Sequence, residues 1–282
     1  MDALPCRTYA DAVGHGTKTA MAAALRLLCI STALVAAGAS ARAADLTVQQ
    51  ISVALAKASA ARPVDFSHRD LSYLDLSELD FKRADLSGAN LYGADLSRAN
   101  LAGARLAGAD LDHTLIIGAN FAGADLADVS LRDTVAYSTL EVSPAEAPNF
   151  AGANLAGANI IARLSRANMR GANLAHVHMG TPRDRTILPL RSALSGCNLA
   201  NASLAGADLG GLDLSFADLS GADLSHANLA RADLAHADLS GADLTGTDLT
   251  DADLDETVLK RAKGLAAAKG IDTARHHATT IR

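Results

Sequence analysis

Carboxylates and imidazoles are the side chains of this chain whose types and spacing could support chemistry. An Asp or Asn precedes most of the leucines that return at every fifth residue between positions 194 and 259. Such carboxylates could hold a cation, and close histidines such as His176 and His178 could bind a metal. The chain has no phosphate-binding loop, paired-cysteine motif, HExxH or GxSxG. The sequence therefore predicts no catalytic, cofactor-binding or metal-binding residue and no enzyme activity.

A five-residue repeat determines where these side chains lie. From Leu194 to Leu259 a Leu returns without a gap, usually with Ala two residues before it and Asp or Asn one residue before it. We call these the core, small and outer positions, and the two residues after the core position the first and second turn positions. A period of five gives no apolar face in a helix and alternates faces in a strand. It fits a coil in which small and core positions point inward and outer positions point outward.

This pattern resembles the motif A(D/N)LXX of the pentapeptide-repeat family. The resemblance covers Phe66 to Leu131, Phe150 to Met179 and Leu194 to Leu259. It implies an all-β solenoid, a right-handed quadrilateral β-helix with about four pentapeptides per coil. The residues at the two ends predict short helical caps. A narrow core of stacked leucines also suits a chain that has no Trp and only 3% aromatic residues.

The coil that the resemblance implies decides between interpretations of the polar residues. Asp213, Asp233 and Asp253 would stack about 4.8 Å apart, either around a cation or, as we favour, solvated or bonded to nearby backbone. His226 and His236 would lie on opposite sides, which argues against a shared metal. The coil also predicts three pairs of surface neighbours: Glu78 with Arg98, Arg231 with Asp251, and Phe216 with His236.

Residues 1–43 are predicted to be a signal peptide. Arg26 precedes an apolar run at 27–37, and 41–43 fits a small-x-small cleavage pattern. Met21 is a plausible start, which leaves open whether residues 1–20 are translated. The alternative is an N-terminal apolar helix of the folded protein. Cleavage would give a periplasmic or secreted protein with no membrane span.

Charge and cysteine content restrict the partner classes. Removing the four basic and two acidic residues of 1–43 changes the formal net charge from −6 to −8. This charge does not suit a protein that binds the phosphate backbone, so no nucleic-acid partner is predicted. Cys6 and Cys29 would leave with the signal peptide. Cys197 occupies a small position and is interpreted as a core residue.

The rest of the chain is divided by its breaks in the repeat. Residues 44–63 are predicted to form a capping helix, with Thr47 and Gln50 as a capping box. The solenoid spans 64–259 and is interrupted by loops at 136–148 and 180–192. Residues 260–282 are predicted to be a C-terminal cap and tail. Every Pro beyond residue 43 lies outside the three repeat blocks, as expected for a residue that cannot donate to a ladder.

The two loops are the candidate partner-binding sites, because loops on a rigid scaffold often carry recognition. The alternative, that they are tolerated insertions, is equally open. The candidate residues in or beside the loops are Tyr137, Glu141, Glu146, His176, His178, Arg183, Arg185 and Arg191.

The function predicted is that of an exported, non-enzymatic scaffold that binds a protein partner through the loops or a solenoid face. The resemblance supplies an alternative, a DNA mimic that binds a type II topoisomerase such as gyrase. The signal peptide argues against the alternative, because gyrase is cytoplasmic. The sequence leaves open whether the C-terminal cap forms a homodimer.

Overall fold

A computed structural model describes residues 44–59, 62–139, 143–179, 192–276 and 280. The predicted signal peptide lies outside these residues. Regular elements are few: helix α1 spans Val48–Lys57, strand β1 spans Ser130–Thr134, strand β2 spans Asn159–Ala162, and a 3-10 turn covers Leu265–Ala267. Strands β1 and β2 pair in parallel. No helix within the described ranges is long and apolar enough to cross a bilayer.

The repeats form a β solenoid in which parallel backbone bridges join outer positions on successive coils. Most bridges join residues twenty apart, as in Asp213 to Asp233 to Asp253. Since repeats are five residues long, each such coil contains four, and the outer positions form four columns. We call the columns faces A, B, C and D, in chain order. Face A runs from Asp65 to Lys263, face B from Asp70 to Lys269, face C from Asp75 to Arg275 and face D from Asp80 to Val258.

The twenty-residue coil is also seen in the predicted surface pairs. Arg98 Nη1 lies 3.4 Å from Glu78 Oε1. The rings of Phe216 and His236 stack with centroids 4.7 Å apart. Arg231 and Asp251 occupy neighbouring turn positions, but no ion pair joins them. His226 and His236 lie in turns half a coil apart, as predicted, and are not brought together.

Every backbone N–H of a typical repeat has an acceptor. The core and second turn positions donate to the next coil, the outer position donates to the preceding coil, and the small position donates back across the turn. The N–H of the first turn position is bonded by the side-chain oxygen of the outer position. Around Leu214 the bonds are Leu214 N to Asp233 O, 2.8 Å, Ser215 N to Asp213 Oδ1, 3.0 Å, Phe216 N to Ala235 O, 2.9 Å, Ala217 N to Leu214 O, 3.1 Å, and Asp218 N to Cys197 O, 2.9 Å. The Asp and Asn residues therefore complete the backbone, as the favoured interpretation expected.

The second turn position adopts the left-handed backbone conformation. Its φ is 58° at His226 and 71° at Gly246. A hydrogen bond from the small position back to the core carbonyl, with positive φ at the second central residue, is the geometry of a type II turn. A Cβ on Gly246 would lie 2.7 Å from His226 Nδ1, so this glycine also makes room for the ring from the preceding coil.

The core consists of stacked inward side chains. The predicted series from Leu199 to Leu254 is 0–1% exposed at its core positions, which confirms the inward register. Phe121 and Phe150 continue the stack with ring centroids 5.0 Å apart. The Cys197 thiol is buried and donates to Leu164 O at 3.0 Å. Burial raises the pKa of this thiol to about 12, which agrees with an unreactive core residue.

Both ends of the solenoid carry additional structure. Helix α1 begins at the predicted capping box, in which Thr47 N donates to Gln50 Oε1 at 2.8 Å, and it buries Ile51. The C-terminal region differs from a helical cap with a frayed tail. Its pairing continues to Arg275, which bridges to Asp253, and among its described residues only Leu265–Ala267 is helical.

The stacked core predicts that a cavity in it would strongly lower the free energy of unfolding. Leu229→Ala is expected to lower the free energy of unfolding by about 2–5 kcal/mol, because coils fixed by hydrogen bonds cannot collapse around the missing atoms. Equilibrium urea unfolding measures the loss. Arg231→Ala, an exposed change in the same repeat, is the matched control and is expected to cost less than about 0.5 kcal/mol. Equal losses for the two variants would contradict the stacked core.

The bond from the outer position to the first turn position predicts a pH effect. Asp248 Oδ1 accepts from Thr250 Oγ1 at 2.6 Å and from Thr250 N at 3.0 Å. These bonds, the hydroxyl first, lower the pKa of Asp248. Its contribution to stability is therefore complete above the unfolded pKa of about 4 and is lost as pH falls through the lower folded value.

Asp248→Ala is accordingly expected to cost about 0.5–2 kcal/mol at neutral pH, the range measured for side chains that cap a free N–H. Asp248→Asn keeps an acceptor and is expected to cost less and to flatten the fall in stability below about pH 4. Urea midpoints measured between pH 3 and 7 test both statements. An Asn variant as unstable as the Ala variant at neutral pH would refute the capping role.

Candidate functional site

The middle of face C lacks the acceptors that the rest of the solenoid uses. Four consecutive outer positions there are neither Asp nor Asn: Leu115, Val135, Arg163 and Ala193. Bridges join Leu115 to Val135 and Arg163 to Ala193, and the β1–β2 pairing of Thr134 with Ala162 makes Val135 and Arg163 neighbours. On faces A, B and D, no two consecutive outer positions in the described residues lack an Asp or Asn. The run on face C is therefore a distinct surface.

This surface is apolar at one end and basic at the other. Val135 is 40% exposed, and Leu115 and Ile117 beside it are half-buried. Arg163 follows in the next coil and is exposed, as is Arg166 in the adjoining turn. We call these residues, with Ala193, the face C patch: Leu115, Ile117, Val135, Arg163, Arg166 and Ala193.

Unbonded backbone donors occur along the same surface. With no Asp or Asn at the outer position, the N–H groups of Ile117, Ser165 and Ser195 lack the side-chain acceptor used elsewhere. No other acceptor for them occurs among the residues that the structure describes. Unbonded N–H groups beside arginines favour a ligand that carries oxygen acceptors.

Both interruptions of the repeat adjoin this face. Asn120 pairs with Asn149, so the first insertion lies between Val135 on face C and Asn149 on face D. The second connects Met179, after face B, with Leu194, on face C. The first insertion therefore starts and ends at the edge between faces C and D, and the second at the edge between faces B and C. They adjoin the face C patch at opposite edges.

The described part of the first loop is anchored to three coils. The Tyr137 hydroxyl donates to Ser165 O in the next coil. Glu146 accepts from Ser138 N at 2.9 Å and from Ser138 Oγ at 2.6 Å, and its carbonyl accepts from Gly118 N at 2.6 Å. These bonds fix the base of the loop against the edge of face C.

Tyr137 connects the loop with the two arginines of the patch. Burial is the main cause that raises the pKa of its hydroxyl, and the charges of Arg163 and Arg166 act in the opposite direction. The hydroxyl donates to Ser165 O, and Ser165 stands between Arg163 and Arg166 in the chain. Since Tyr137 is half-buried and bonded, its role in this geometry is to position the loop.

The predicted site residues are only partly brought together. Tyr137 and Glu146 lie at the first loop beside face C. His176 occupies the turn between faces A and B, with its ring over Gly206, and His178 is an exposed outer residue of face B. The remaining predicted residues, Glu141, Arg183, Arg185 and Arg191, lie outside the described residues.

The prediction missed the residues of the face C patch itself. The signal was present, since Leu115 and Val135 are twenty residues apart and both replace Asp or Asn. Arg163 could not be added by counting, because Val135 and Arg163 are separated by 28 residues of chain.

A second cluster was also missed, in the turn between faces B and C. Tyr92 packs against Tyr73 and His113, with ring centroids 5.5 and 4.9 Å away. Nearby, Arg132 Nε donates to the buried carboxylate of Asp112 at 2.8 Å. Burial, the largest influence, opposes ionisation of Asp112, but hydrogen bonds from Arg132 and Ser130 outweigh it and lower the pKa. This ion pair joins the turn that contains Asp112 to strand β1 in the next coil.

A metal centre finds no support in the described ranges, where no group of three or more His, Cys, Asp or Glu side chains could hold an ion. The aspartate columns bond to their own backbone. Asparagine amides also bond between coils, as from Asn120 Nδ2 to Asn100 Oδ1 at 3.0 Å. The polar columns of the described residues therefore satisfy backbone donors and join neighbouring coils.

Comparison with known proteins gives a family match. The family model described as pentapeptide repeats matches in eight copies, at residues 64–98, 94–133, 149–179, 192–229 and 227–263. No curated protein matches the chain significantly.

Three solved structures illustrate what the chain is similar to. HetL, a pentapeptide repeat protein involved in heterocyst differentiation regulation from Nostoc sp. strain PCC 7120, is 28% identical over 84% of this chain and 94% of its own, with a TM-score of 0.34. QnrB1, a plasmid-mediated fluoroquinolone resistance protein, is 22% identical over 66% and 86%, with a TM-score of 0.41. Rfr23 from Cyanothece 51142 is 27% identical over 53% and 90%, with a TM-score of 0.32. With TM-scores below 0.5, these likenesses carry no argument about function.

The anchoring role of Tyr137 predicts a small, specific loss of stability. Tyr137→Phe removes the bond to Ser165 O and is expected to lower the free energy of unfolding by about 1 kcal/mol. Arg170→Ala, a change of an exposed side chain in the turn between faces D and A, is the control and is expected to stay within about 0.5 kcal/mol of the parent. Urea unfolding of the two variants makes the comparison, and an unchanged Tyr137→Phe would speak against the anchor.

Proposed function

Because the chain belongs to the pentapeptide-repeat family, we propose that it is a non-enzymatic scaffold that binds a protein partner through the face C patch and the two loops beside it. The scaffold we propose is the right-handed, quadrilateral β-helix that the family resemblance implies. The partner contacts one flat face, and the loops define the edges of the contact.

One observation carries this proposal. The face C patch is the one run of consecutive outer positions in the described residues that abandons Asp and Asn, and both insertions adjoin it. An outer Asp or Asn accepts a hydrogen bond from an N–H that would otherwise lack an acceptor, so replacing it lowers stability. Four successive replacements on one face therefore point to selection for something other than stability. Exposed apolar side chains such as Val135, next to arginines, are typical of a protein interface.

Export is the second part of the proposal. Arg26, the apolar run at 27–37 and the small residues at 41–43 support a signal peptide and a periplasmic or secreted location.

A second candidate function is binding to a type II topoisomerase as a mimic of DNA. The observation that favours it is the column of charged outer positions Asp213, Asp233 and Asp253, joined by bridges on successive coils. Such regularly spaced carboxylates resemble a row of phosphates. The two functions require different compartments and different surfaces.

The binding surface can be tested without damaging the fold. Leu115→Asp combined with Val135→Asp restores the usual residue of the repeat, so stability is expected to be unchanged or higher while partner binding is lost. The measurement is affinity capture from extracts and envelope fractions of the source cell, with bound proteins identified by mass spectrometry. Val258→Asp, the same type of change on face D, is the matched control. If the parent, the double variant and Val258→Asp capture the partner equally, the binding site does not lie on face C.

The location is tested by the N-terminus of the mature chain. We expect it near Ala44 and outside the cytoplasm, because a signal peptidase cleaves after the small residues at 41–43. Mass spectrometry of fractionated cells measures both properties. An intact 27–37 segment in the soluble cytoplasmic fraction would contradict export and favour the topoisomerase alternative.

A further inference from the structure

We propose that the face C patch recognises an acidic, apolar segment of its protein partner, with carboxylates on Arg163 and Arg166 and an apolar side chain against Leu115 and Val135. This inference rests on the proposed function, since it names the chemistry of the partner for the same surface. The ligand is a short extended peptide within a protein.

The charge distribution favours an acidic ligand. The chain has a formal net charge of −6, yet its patch contributes only basic charge. Arg163 and Arg166 are exposed, and no carboxylate within 4.0 Å of either occurs in the described part of the chain. Arginines that face solvent without a carboxylate can form bidentate bonds with the carboxylates of a partner.

The backbone donors favour the same ligand. The N–H groups of Ile117, Ser165 and Ser195 occupy the positions that an outer Asp or Asn bonds in other repeats, as Asp213 bonds Ser215 N at 3.0 Å. A carboxylate or carbonyl oxygen of the partner would take the place of the side-chain oxygen that these repeats omit. A basic segment would leave these donors unpaired and would face the arginines.

The neighbouring coils limit the length of the segment. On face C the patch is preceded by Asp95 and followed by Asp213, whose carboxylates repel an acidic ligand. From Leu115 to Ala193 there are three steps between coils, or roughly 14 Å at about 4.8 Å each. An extended segment of about four or five residues spans this distance.

The apolar end of the patch favours a ligand that carries an apolar side chain as well as carboxylates. Val135 is 40% exposed, and Leu115 and Ile117 lie beside it. An aliphatic or aromatic side chain of the partner would cover them, and its neighbours in sequence would reach the arginines one coil away. A free phosphate or a polyanion would use the arginines and leave the apolar end exposed.

The test is a fluorescence anisotropy titration of the purified full chain with labelled synthetic peptides. One hexapeptide alternates glutamate with leucine, and its counterpart alternates lysine with leucine. We expect the glutamate peptide to bind at low salt at least tenfold more tightly than the lysine peptide. Its affinity is expected to fall as salt rises, because the contact is partly ionic.

Two pairs of variants locate the binding. Arg163→Glu and Leu115→Asp are each expected to lower the affinity for the glutamate peptide at least tenfold. The matched controls are Arg170→Glu, an exposed arginine in the turn between faces D and A, and Val258→Asp on face D, and both are expected to bind like the parent. Thermal unfolding of the four variants confirms that they are folded, and Leu115→Asp is expected to be no less stable than the parent.

Several results would overturn the inference. They are equal binding of the two peptides, no binding, losses of the same size in the control variants, and displacement of the peptide by phosphatidylglycerol vesicles, which would make a lipid surface the occupant. If Leu115→Asp with Val135→Asp abolishes capture of the cellular partner while neither peptide binds, the proposed function stands and this partner chemistry is wrong. If capture is also unchanged, both are wrong.

Discussion

The structure depends on one hydrogen bond that recurs in most repeats, from the N–H of the first turn position to the side-chain oxygen of the outer position. Stacking of coils satisfies the other N–H groups of each repeat, and the turn closes on its own core carbonyl. One donor per repeat would remain without an acceptor. An Asp or Asn two residues earlier supplies the acceptor locally, as Asp233 does for Ala235 N at 3.0 Å. This need explains why the polar residue of the motif is short, accepts hydrogen bonds and stands immediately before the core residue.

The same bond explains why the faces of a solenoid can differ. Since each coil is held by its neighbours through the backbone, the outer side chain can be replaced in a few repeats at a modest cost per repeat. On face C this happens in four consecutive coils, and the replaced positions present aliphatic groups at Leu115 and Val135 and a guanidinium at Arg163. The loss of local caps thus produces both the apolar surface and the unbonded donors. The partner site that we propose consists of positions at which the repeat omits its usual polar residue.

The turns impose a second constraint. A positive φ at the second turn position favours glycine, yet many turns have a larger residue there, such as Phe216 with a φ of 59°. These side chains extend over the next coil, where they stack on another ring or lie over a glycine, as His226 does over Gly246. The turns therefore form continuous columns on the surface. A large side chain at one turn position thus limits the space at the same position one coil away.

The sequence by itself determined the repeat, the inward register of the leucines, the capping box of α1 and, through the family resemblance, the neighbours twenty residues apart. These features are local or strictly periodic, so spacing along the chain is enough to find them. Only the tertiary structure decided the left-handed turns, the extension of pairing to Arg275 and the composition of the face C patch. Hydrogen bonds between coils join residues by position on the solenoid and not by distance along the chain. The first insertion lengthens one coil, and the repeat from Ile160 to Leu164 is one residue shorter than the others. Arg163 therefore lies beside Val135 and Tyr137 bonds to Ser165, although no fixed spacing connects them. The full composition of the face C patch therefore follows only from the stacking of the coils.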